Sequence, residues 1–228
     1  MPLDNARIDA ILFDVDGTLS DTDDRIVHRF QQRLNGVRFL FPGGQTLPAA
    51  RWLVMTAESP ANRLYGLLDR LHLDDEAGRL VNFLARRDTD SPGRFLMIPQ
   101  VDALLAALHA RYPLAVVSAG SERATLGFLE QFDLAPYFEA VATSITCPHT
   151  KPFPDPLLWA AGRLGVPPER CLMVGDTVVD IRAGKAAGAQ TVGVLCGFGT
   201  ERELRRAGAD LILPDTSALR QTLLGELE

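Results

Sequence analysis

The stretch Ile11-Leu12-Phe13-Asp14-Val15-Asp16-Gly17-Thr18-Leu19 places two carboxylates directly after a short apolar run. A continuous apolar run of this kind is typical of a strand that is buried on both faces. Residues two apart in extended backbone point to the same side, so Asp14 and Asp16 can address one site. Gly17 then allows a turn with a positive φ. The stretch predicts a buried strand that delivers two acids able to divide the roles of nucleophile and acid/base, although Asp and Gly are also ordinary turn residues.

The composition is that of a globular protein with a sizeable core: 228 residues, 46% of them hydrophobic and 23% charged. A net charge of −6 argues against a nucleic-acid partner, whose binding surface would be basic. We expect no membrane partner and a cytoplasmic location, because no apolar run reaches bilayer length and residues 1–9 lack a signal pattern. Cys147, Cys171 and Cys196 are odd in number and widely spaced, which predicts reduced, structural cysteines.

Beyond residue 100, short apolar runs alternate with segments of helical periodicity. Five further strands are predicted, at residues 113–118, 139–143, 171–174, 191–195 and 209–213. Helices are predicted between them, around residues 101–108, 121–132, 156–164, 178–187 and 201–207. This alternation predicts an α/β fold with a Rossmann-like parallel sheet and helices on both faces. Ligands of such sheets bind outside the carboxyl ends of the strands.

The segment of residues 21–95 interrupts this alternation. Ile26, Phe30 and Leu34 recur every four residues, and later apolar spacings in the segment favour further helices. Stretches rich in turn residues flank it, at residues 20–24 and 90–99. The interpretation is an α/β core domain of residues 1–20 and 96–228 that carries an inserted α-helical cap domain of residues 21–95.

Three further polar segments fall at or just after predicted strand ends. Ser118 and Ala119 offer a hydroxyl and backbone N–H groups to phosphate oxygens, although a serine before a helix can serve simply as its N-cap. Lys151 begins the rigid run Lys-Pro-Phe-Pro-Asp-Pro and is one of only two lysines, which favours an ammonium aimed at an anion over an ordinary surface lysine. Asp176 and Asp180 are four residues apart, which predicts one shared helical face. Their repulsion favours a hard divalent cation such as Mg²⁺, and the alternative is that they complement a helix dipole.

These four segments, in this order on alternating strands, resemble the four signature motifs of the haloacid dehalogenase superfamily. The resemblance covers the whole α/β portion of the chain. The insert is similar in position and length to the helical cap of the phosphoglycolate-phosphatase-like subgroup. The resemblance implies a Mg²⁺-dependent phosphatase that hydrolyses a small phosphorylated metabolite through an aspartyl-phosphate intermediate, with phosphoglycolate as the leading candidate.

The resemblance also implies catalytic and metal-binding roles. Asp14 would be the nucleophile, and Asp16 would protonate the leaving oxygen and then activate water. Mg²⁺ would be held by the carboxylates of Asp14 and Asp176 and by the backbone carbonyl of Asp16. Asp180 would support the ion directly or through water.

The phosphoryl group would be held by Ser118, by Lys151 and by backbone N–H groups near Val15, Asp16 and Ala119. The acid at Asp16 argues against dehalogenation, since a halide leaves without a proton. The motifs leave open a β-phosphoglucomutase-like phosphomutase and a pyrophosphatase. A non-catalytic phospholigand-binding module is an alternative from a different class. We expect a monomer or homodimer, and we interpret His149 as solvent-facing or structural.

Overall fold

The computed structural model of the chain describes residues 3–21 and 95–225. Within them lies a six-stranded sheet in which every neighbouring pair of strands is parallel. Its strands are β1 Ala10–Phe13, β2 Leu114–Val117, β3 Ala140–Ala142, β4 Cys171–Gly175, β5 Gln190–Val194 and β6 Leu211–Leu213. Their spatial order is β3-β2-β1-β4-β5-β6. The predicted α/β fold and all six predicted strands are confirmed.

Six α-helices and four short 3₁₀ helices accompany the strands in this part of the chain. The α-helices are α1 Val101–His109, α2 Glu122–Gln131, α3 Asp155–Leu164, α4 Val178–Ala187, α5 Glu201–Ala207 and α6 Leu219–Leu224. The first five lie where the sequence predicts them, whereas α6 was not predicted. Within residues 3–21 and 95–225, no helix is both long and apolar enough to cross a membrane.

The side chains of each strand alternate between the two faces of the sheet. Ile11 and Phe13 of β1 belong to one apolar cluster, together with buried residues of α1, α2 and α6. Ala10 and Leu12 belong to a second cluster, which includes buried residues of α3 and α4. Because helices cover both faces, β1 has to be apolar along its whole length, as the sequence predicts.

The strand order places β1 at the centre of the sheet, between β2 and β4. The chain leaves β1 to build β2 and β3 on one side and later returns to build β4, β5 and β6 on the other. Ligands of open parallel sheets bind at such a reversal, outside the carboxyl ends of the strands. Phe13 of β1 pairs with Val174 of β4, so the residues that follow these two strands emerge side by side at this point.

The two chain segments that flank residues 22–94 pair with each other. The N–H of Asp21 donates to the carbonyl of Leu96 at 2.9 Å, and the N–H of Ile98 donates to the carbonyl of Leu19 at 3.0 Å. The predicted cap lies outside the described residues except for its two end positions, 21 and 95. Its helices and the predicted domain boundaries therefore stay predictions.

Candidate active site

The candidate site lies where β1, β2 and β4 end. Asp14 directly follows β1, and its N–H donates to the carbonyl of Val174 in β4 at 2.9 Å. Ser118 directly follows β2, and its N–H donates to the carbonyl of Ala142 in β3 at 2.9 Å. Asp176 directly follows β4. The parallel ladder thus delivers a polar residue from each of three neighbouring strands to the same edge of the sheet.

Three buried carboxylates and one buried ammonium meet at this edge. Asp14, Asp176 and Asp180 each offer an oxygen, and these oxygens lie within 4.8 Å of one another. The Nζ of Lys151 donates to Oδ1 of Asp14 and to Oδ1 of Asp180, at 2.6 Å in both cases. Only 2% of the Lys151 side chain is exposed. Four of the predicted site residues therefore form a single buried cluster.

Burial shifts the proton equilibria of this cluster. Removal from water is the largest cause that raises the pKa of Asp14 to about 7, and Asp180 and Asp16 add to it against the opposing charge of Lys151. The pKa of Asp176 is raised well above its ordinary value, first by burial and then by its two carboxylate neighbours. Burial would lower the pKa of Lys151, but Asp14 and Asp180 outweigh it and raise that pKa above its usual range. Three acids thus share one ammonium, so negative charges would outnumber positive ones in the cluster if all three acids were ionised.

The donor set of this cluster is suited to a hard metal ion. Three carboxylates supply oxygen ligands, which Mg²⁺ and Ca²⁺ prefer over nitrogen and sulfur. Across residues 3–21 and 95–225, no other group of three acidic, histidine or cysteine side chains is close enough to share an ion. A divalent cation would neutralise the excess charge and favour the ionised carboxylates. The cluster can therefore hold a metal.

Asp176 and Asp180 come together by a different route from the one predicted. Helix α4 begins at Val178 with Thr177 as its N-cap, so Asp176 precedes the helix and does not share a helical face with Asp180. The Thr177 N–H donates to Oδ2 of Asp180 at 2.9 Å, and the Thr177 hydroxyl donates to the same oxygen. The prediction of a shared face is wrong. The tight turn between β4 and α4 brings the two carboxylates together.

Asp176 also has partners that the sequence analysis missed. The Thr18 hydroxyl donates to its Oδ1 at 3.3 Å, and the N–H of Phe198 donates to its Oδ2 at 2.8 Å. Phe198 stands between Gly197 and Gly199, in the loop that follows β5. The two glycines were the available signal of this contact, because they mark a position where the backbone comes unusually close to another group.

Asp16 and Ser118 approach each other at the Gly120 backbone. A β-carbon on Gly120 would lie 3.1 Å from Oγ of Ser118 and 3.4 Å from Oδ2 of Asp16. The Gly120 N–H donates to Oγ of Ser118 at 2.9 Å, so the hydroxyl proton of Ser118 points elsewhere. Asp16 and Ala119 are exposed, whereas Ser118 is buried. Ser121 is the N-cap of α2 and accepts from the N–H of Ala124, so the N-cap explanation of Ser118 is wrong.

His149 and the three cysteines are interpreted as residues without a catalytic role. Nδ1 of His149 lies 3.2 Å from Oδ1 of Asp155, and half of the His149 side chain is exposed. Cys147, Cys171 and Cys196 are free cysteines, as predicted. Burial raises the pKa of both Cys171 and Cys196 to about 11, which keeps them as unreactive thiols near neutral pH.

Comparison with known proteins adds a family and several relatives. The family model of haloacid dehalogenase-like hydrolases matches residues 11–194. The phosphoglycolate phosphatase of Nitrosococcus oceani is 30% identical over 225 residues, which cover 93% of this chain and 95% of that protein. The probable phosphatase IndB of Dickeya dadantii is 31% identical over 208 residues, 89% of this chain and 88% of the relative. The crystal structure of a hydrolase from Pseudomonas syringae is 25% identical and superposes with a TM-score of 0.67, over 96% of this chain and 100% of that one.

Proposed function

The chain belongs to the haloacid dehalogenase-like hydrolases, and we propose that it is a Mg²⁺-dependent phosphatase that transfers the phosphoryl group of a small phosphomonoester to Asp14 and then to water. Its phosphatase relatives make it a hydrolase that acts on phosphomonoesters. The observation that carries the proposal is the cluster of three buried carboxylates and a buried ammonium, beside an exposed acid, at the reversal of the sheet.

Asp14, Asp176 and Asp180 would hold the Mg²⁺ ion, together with the backbone carbonyl of Asp16. Their oxygens are close enough to share one ion, and their excess negative charge favours a divalent cation. When bound, the ion would neutralise charge on the transferring phosphoryl group and keep the carboxylates ionised.

Asp14 is the proposed nucleophile. Its carboxylate oxygen attacks phosphorus, the bond from phosphorus to the ester oxygen breaks, and an aspartyl-phosphate remains on the protein. This step needs the ionised carboxylate, whereas burial favours the protonated one. Lys151, at 2.6 Å from Oδ1, opposes that effect, so its charge helps to keep the nucleophile ionised.

Asp16 is the proposed acid and base. As the ester bond breaks, the carboxyl group of Asp16 gives its proton to the leaving alcohol oxygen. The resulting carboxylate then takes a proton from water, which attacks phosphorus and releases phosphate together with free Asp14. The position of Asp16 supports this role, since the residue is exposed and its Oδ2 lies beside the Ser118–Gly120 turn.

Ser118, Ala119 and Lys151 are the proposed ligands of the phosphoryl oxygens. The oxygen of Ser118 already accepts from the Gly120 N–H, which directs the hydroxyl as a donor towards another group. The backbone N–H of Ala119, at the exposed tip of the same turn, would be a second donor. Lys151 would add a positive charge against the equatorial oxygens, which accumulate charge in the transition state.

Phosphoglycolate is the proposed substrate. The supporting observation is the phosphoglycolate phosphatase of Nitrosococcus oceani, which matches this chain over nearly the full length of both proteins.

The test is phosphate release by the purified full-length chain from phosphoglycolate and from a panel of other small phosphomonoesters. We expect release with millimolar Mg²⁺, none with EDTA, and none from Asp14→Asn, which keeps the side-chain shape but removes the charge. Asp102→Asn, an exposed change at the start of α1, is the matched control and should retain full activity.

Four results would contradict the proposal, and a fifth would overturn only the substrate. Activity that survives EDTA would exclude the metal, and a hydrolytic Asp14→Asn variant would exclude the nucleophile. Conversion of a phosphorylated sugar to its isomer without phosphate release would indicate a mutase. Tight binding of phosphate esters with no turnover would indicate a binding module. A panel in which another ester is hydrolysed far better than phosphoglycolate would overturn the substrate alone.

A further inference from the structure

The loop of residues 196–199 binds Asp176 through two main-chain hydrogen bonds. The Phe198 N–H donates to Oδ2 of the carboxylate at 2.8 Å, and the Gly199 N–H donates to the Asp176 carbonyl at 3.1 Å. Asp176 is fully buried, so neither bond competes with water. Main-chain donors are fixed by the loop conformation, so the Phe198 N–H holds one carboxylate oxygen in a defined direction while the Gly199 N–H holds the backbone of the same residue.

Glycines let the backbone approach the Asp176 carboxylate from two sides. A β-carbon on Gly197 would lie well under 3.0 Å from Oδ2, and its three nearest atoms would all belong to the Asp176 side chain. A β-carbon on Gly17, in the turn after β1, would lie 2.5 Å from the same oxygen. Gly17 has a φ of 78°, whereas the backbone of Gly197 is not left-handed. Gly197 is therefore needed for space alone, and the space that it leaves is filled by Asp176.

A second set of contacts ties this loop, and Thr216 beyond β6, to the turn after β1. The Sγ of Cys196 lies 3.4 Å from the carbonyl of Gly17, and the Thr216 hydroxyl donates to the carbonyl of Thr18 at 2.5 Å. Thr18 in turn donates its hydroxyl to Oδ1 of Asp176 at 3.3 Å. The two loops therefore close around one carboxylate. We call this assembly, made of Thr18, residues 196–199 and Thr216, the Asp176 clamp.

We propose that the Asp176 clamp is a positioning device that sets the metal affinity of the site by holding one carboxylate oxygen to the protein and presenting the other to the ion. The 2.8 Å bond from Phe198 engages Oδ2, whereas the Thr18 contact with Oδ1 is longer, which makes Oδ1 the metal ligand. A carboxylate fixed in this way neither rotates away from its acidic neighbours nor loses rotational freedom on binding. This inference rests on the proposed function, in which Asp176 binds Mg²⁺.

The first test is the Mg²⁺ dissociation constant of Gly197→Ala, measured by isothermal titration calorimetry on the full chain. Its added methyl group can be accommodated only by displacing the Asp176 carboxylate or the loop, and we expect Mg²⁺ binding about 10–100-fold weaker. The Mg²⁺ concentration for half-maximal activity should rise by a similar factor, with most of kcat recovered at saturating Mg²⁺. An unchanged dissociation constant overturns the proposal.

Gly193→Ala is the matched control. It adds the same methyl group in β5, four residues earlier, where the β-carbon would lie 2.9 Å from Cδ1 of Leu204 and none of its three nearest atoms belongs to Asp176. We expect it to lower Tm while leaving the Mg²⁺ dissociation constant unchanged. If Gly193→Ala weakens Mg²⁺ binding as much as Gly197→Ala does, the effect is general destabilisation and the clamp has no special role.

A pair of stability measurements in EDTA tests the contact without any metal. Gly197→Ala should lower Tm in the wild-type background. The same change should lower Tm less in an Asp176→Ala background, because the atoms that its methyl group meets are mostly gone. An equal fall in Tm in both backgrounds would show that the added methyl group does not meet the Asp176 side chain. Should wild-type protein bind no Mg²⁺, the proposed function and the metal role of the clamp both fail, and this pair still reports whether the loop holds Asp176.

Thr18→Val provides an independent variant if Gly197→Ala does not yield folded protein. It removes the hydroxyl that reaches Oδ1 while keeping nearly the same shape. We expect Mg²⁺ binding about 10-fold weaker with a native circular dichroism spectrum. Native-strength Mg²⁺ binding by this variant would overturn the part of the proposal that concerns Oδ1.

Discussion

Asp14→Asn should abolish catalysis and yet stabilise the metal-free protein at alkaline pH. Burial and the neighbouring acids raise the pKa of Asp14 from its ordinary value of 3.8 to about 7. Between these two values the folded state binds more protons than the unfolded state. The free energy of unfolding therefore falls as the pH rises through this window, and the contribution of Asp14 is fully present only below about pH 3.8. Asparagine does not titrate, so the variant escapes this loss.

The size of the effect follows from the shift. Each pKa unit corresponds to about 1.36 kcal/mol, so a rise of roughly three units makes Asp14→Asn about 4 kcal/mol more stable than wild type above pH 8. Near pH 4 the two proteins should be equally stable, because Asp14 is then largely protonated in the folded state. For a domain of this size, 4 kcal/mol corresponds to a Tm difference of about 10 °C.

The assay is urea denaturation followed by circular dichroism, in EDTA, at intervals from pH 4 to pH 8. Asp102→Asn, an exposed substitution, controls for the general effect of removing one negative charge. If the Asp14→Asn variant is no more stable than wild type at pH 8, burial does not raise the pKa of Asp14 in the way argued. A stability difference that does not change with pH would refute that pKa shift equally, because its cause could not then be the titration of a buried acid.

Three further substitutions test separate parts of the structure. Asp16→Asn should lower kcat for phosphoglycolate by about 10²–10⁴-fold, because the amide cannot give a proton to the leaving oxygen or take one from water; near-normal turnover by a folded variant would exclude that role. Lys151→Ala leaves two buried carboxylates without their shared ammonium, and it should lower the free energy of unfolding by about 3–5 kcal/mol. It should also lower kcat/KM, and an unchanged kcat/KM would contradict the proposed role of Lys151. Asp210→Asn should cost about 1–3 kcal/mol at pH 7, because Asp210 accepts from the Thr191 N–H at 2.8 Å and from Lys185. Burial alone would raise the pKa of Asp210, but these bonds lower it overall, so the cost in urea denaturation should vanish as the pH falls through that lowered pKa.

The sheet could be predicted because its physical requirements are local. A strand covered on both faces has to be apolar throughout, and the run of residues 11–13 shows this directly. Helix α6 escaped prediction for the opposite reason. With six residues it is too short to show a periodic pattern, and it is placed by the packing of Leu219 and Leu223 against the core.

The cluster could be predicted only in part, because its members lie far apart in the sequence. Parallel strands end at one edge of the sheet, which is why Asp14, Ser118 and Asp176 could be expected near one another. The reason given for pairing Asp176 with Asp180 failed, since a turn capped by Thr177 determines their positions rather than a helical repeat. A spacing of four residues places two side chains on one helical face only if both residues lie inside the helix, and the spacing alone does not show where the helix begins.

The clamp lay beyond prediction for a further reason. Its donors to Asp176 include main-chain N–H groups, which every residue except proline has, so no residue type reveals them. The one trace in the sequence is the pair Gly197 and Gly199, and a glycine reports that something comes close without reporting what. Only the fold, which brings the loop after β5 over the end of β4, identifies the neighbour as Asp176.

Burial disfavours the ionised carboxylates of the cluster, and for the same reason it favours the binding of a divalent cation. In the metal-free protein, burial raises the pKa values of Asp14 and Asp176, and repulsion from the neighbouring carboxylates adds to the rise against the opposing charge of Lys151. Protonation relieves that repulsion but disables the proposed nucleophile, whereas a divalent cation relieves it and keeps the nucleophile ionised. Protons and metal therefore compete for the same oxygens, and the bound metal stabilises only the folded chain. A stability measured in EDTA would accordingly understate that of the working enzyme, and the difference should be largest at the alkaline pH where the empty cluster is most strained by its own charge.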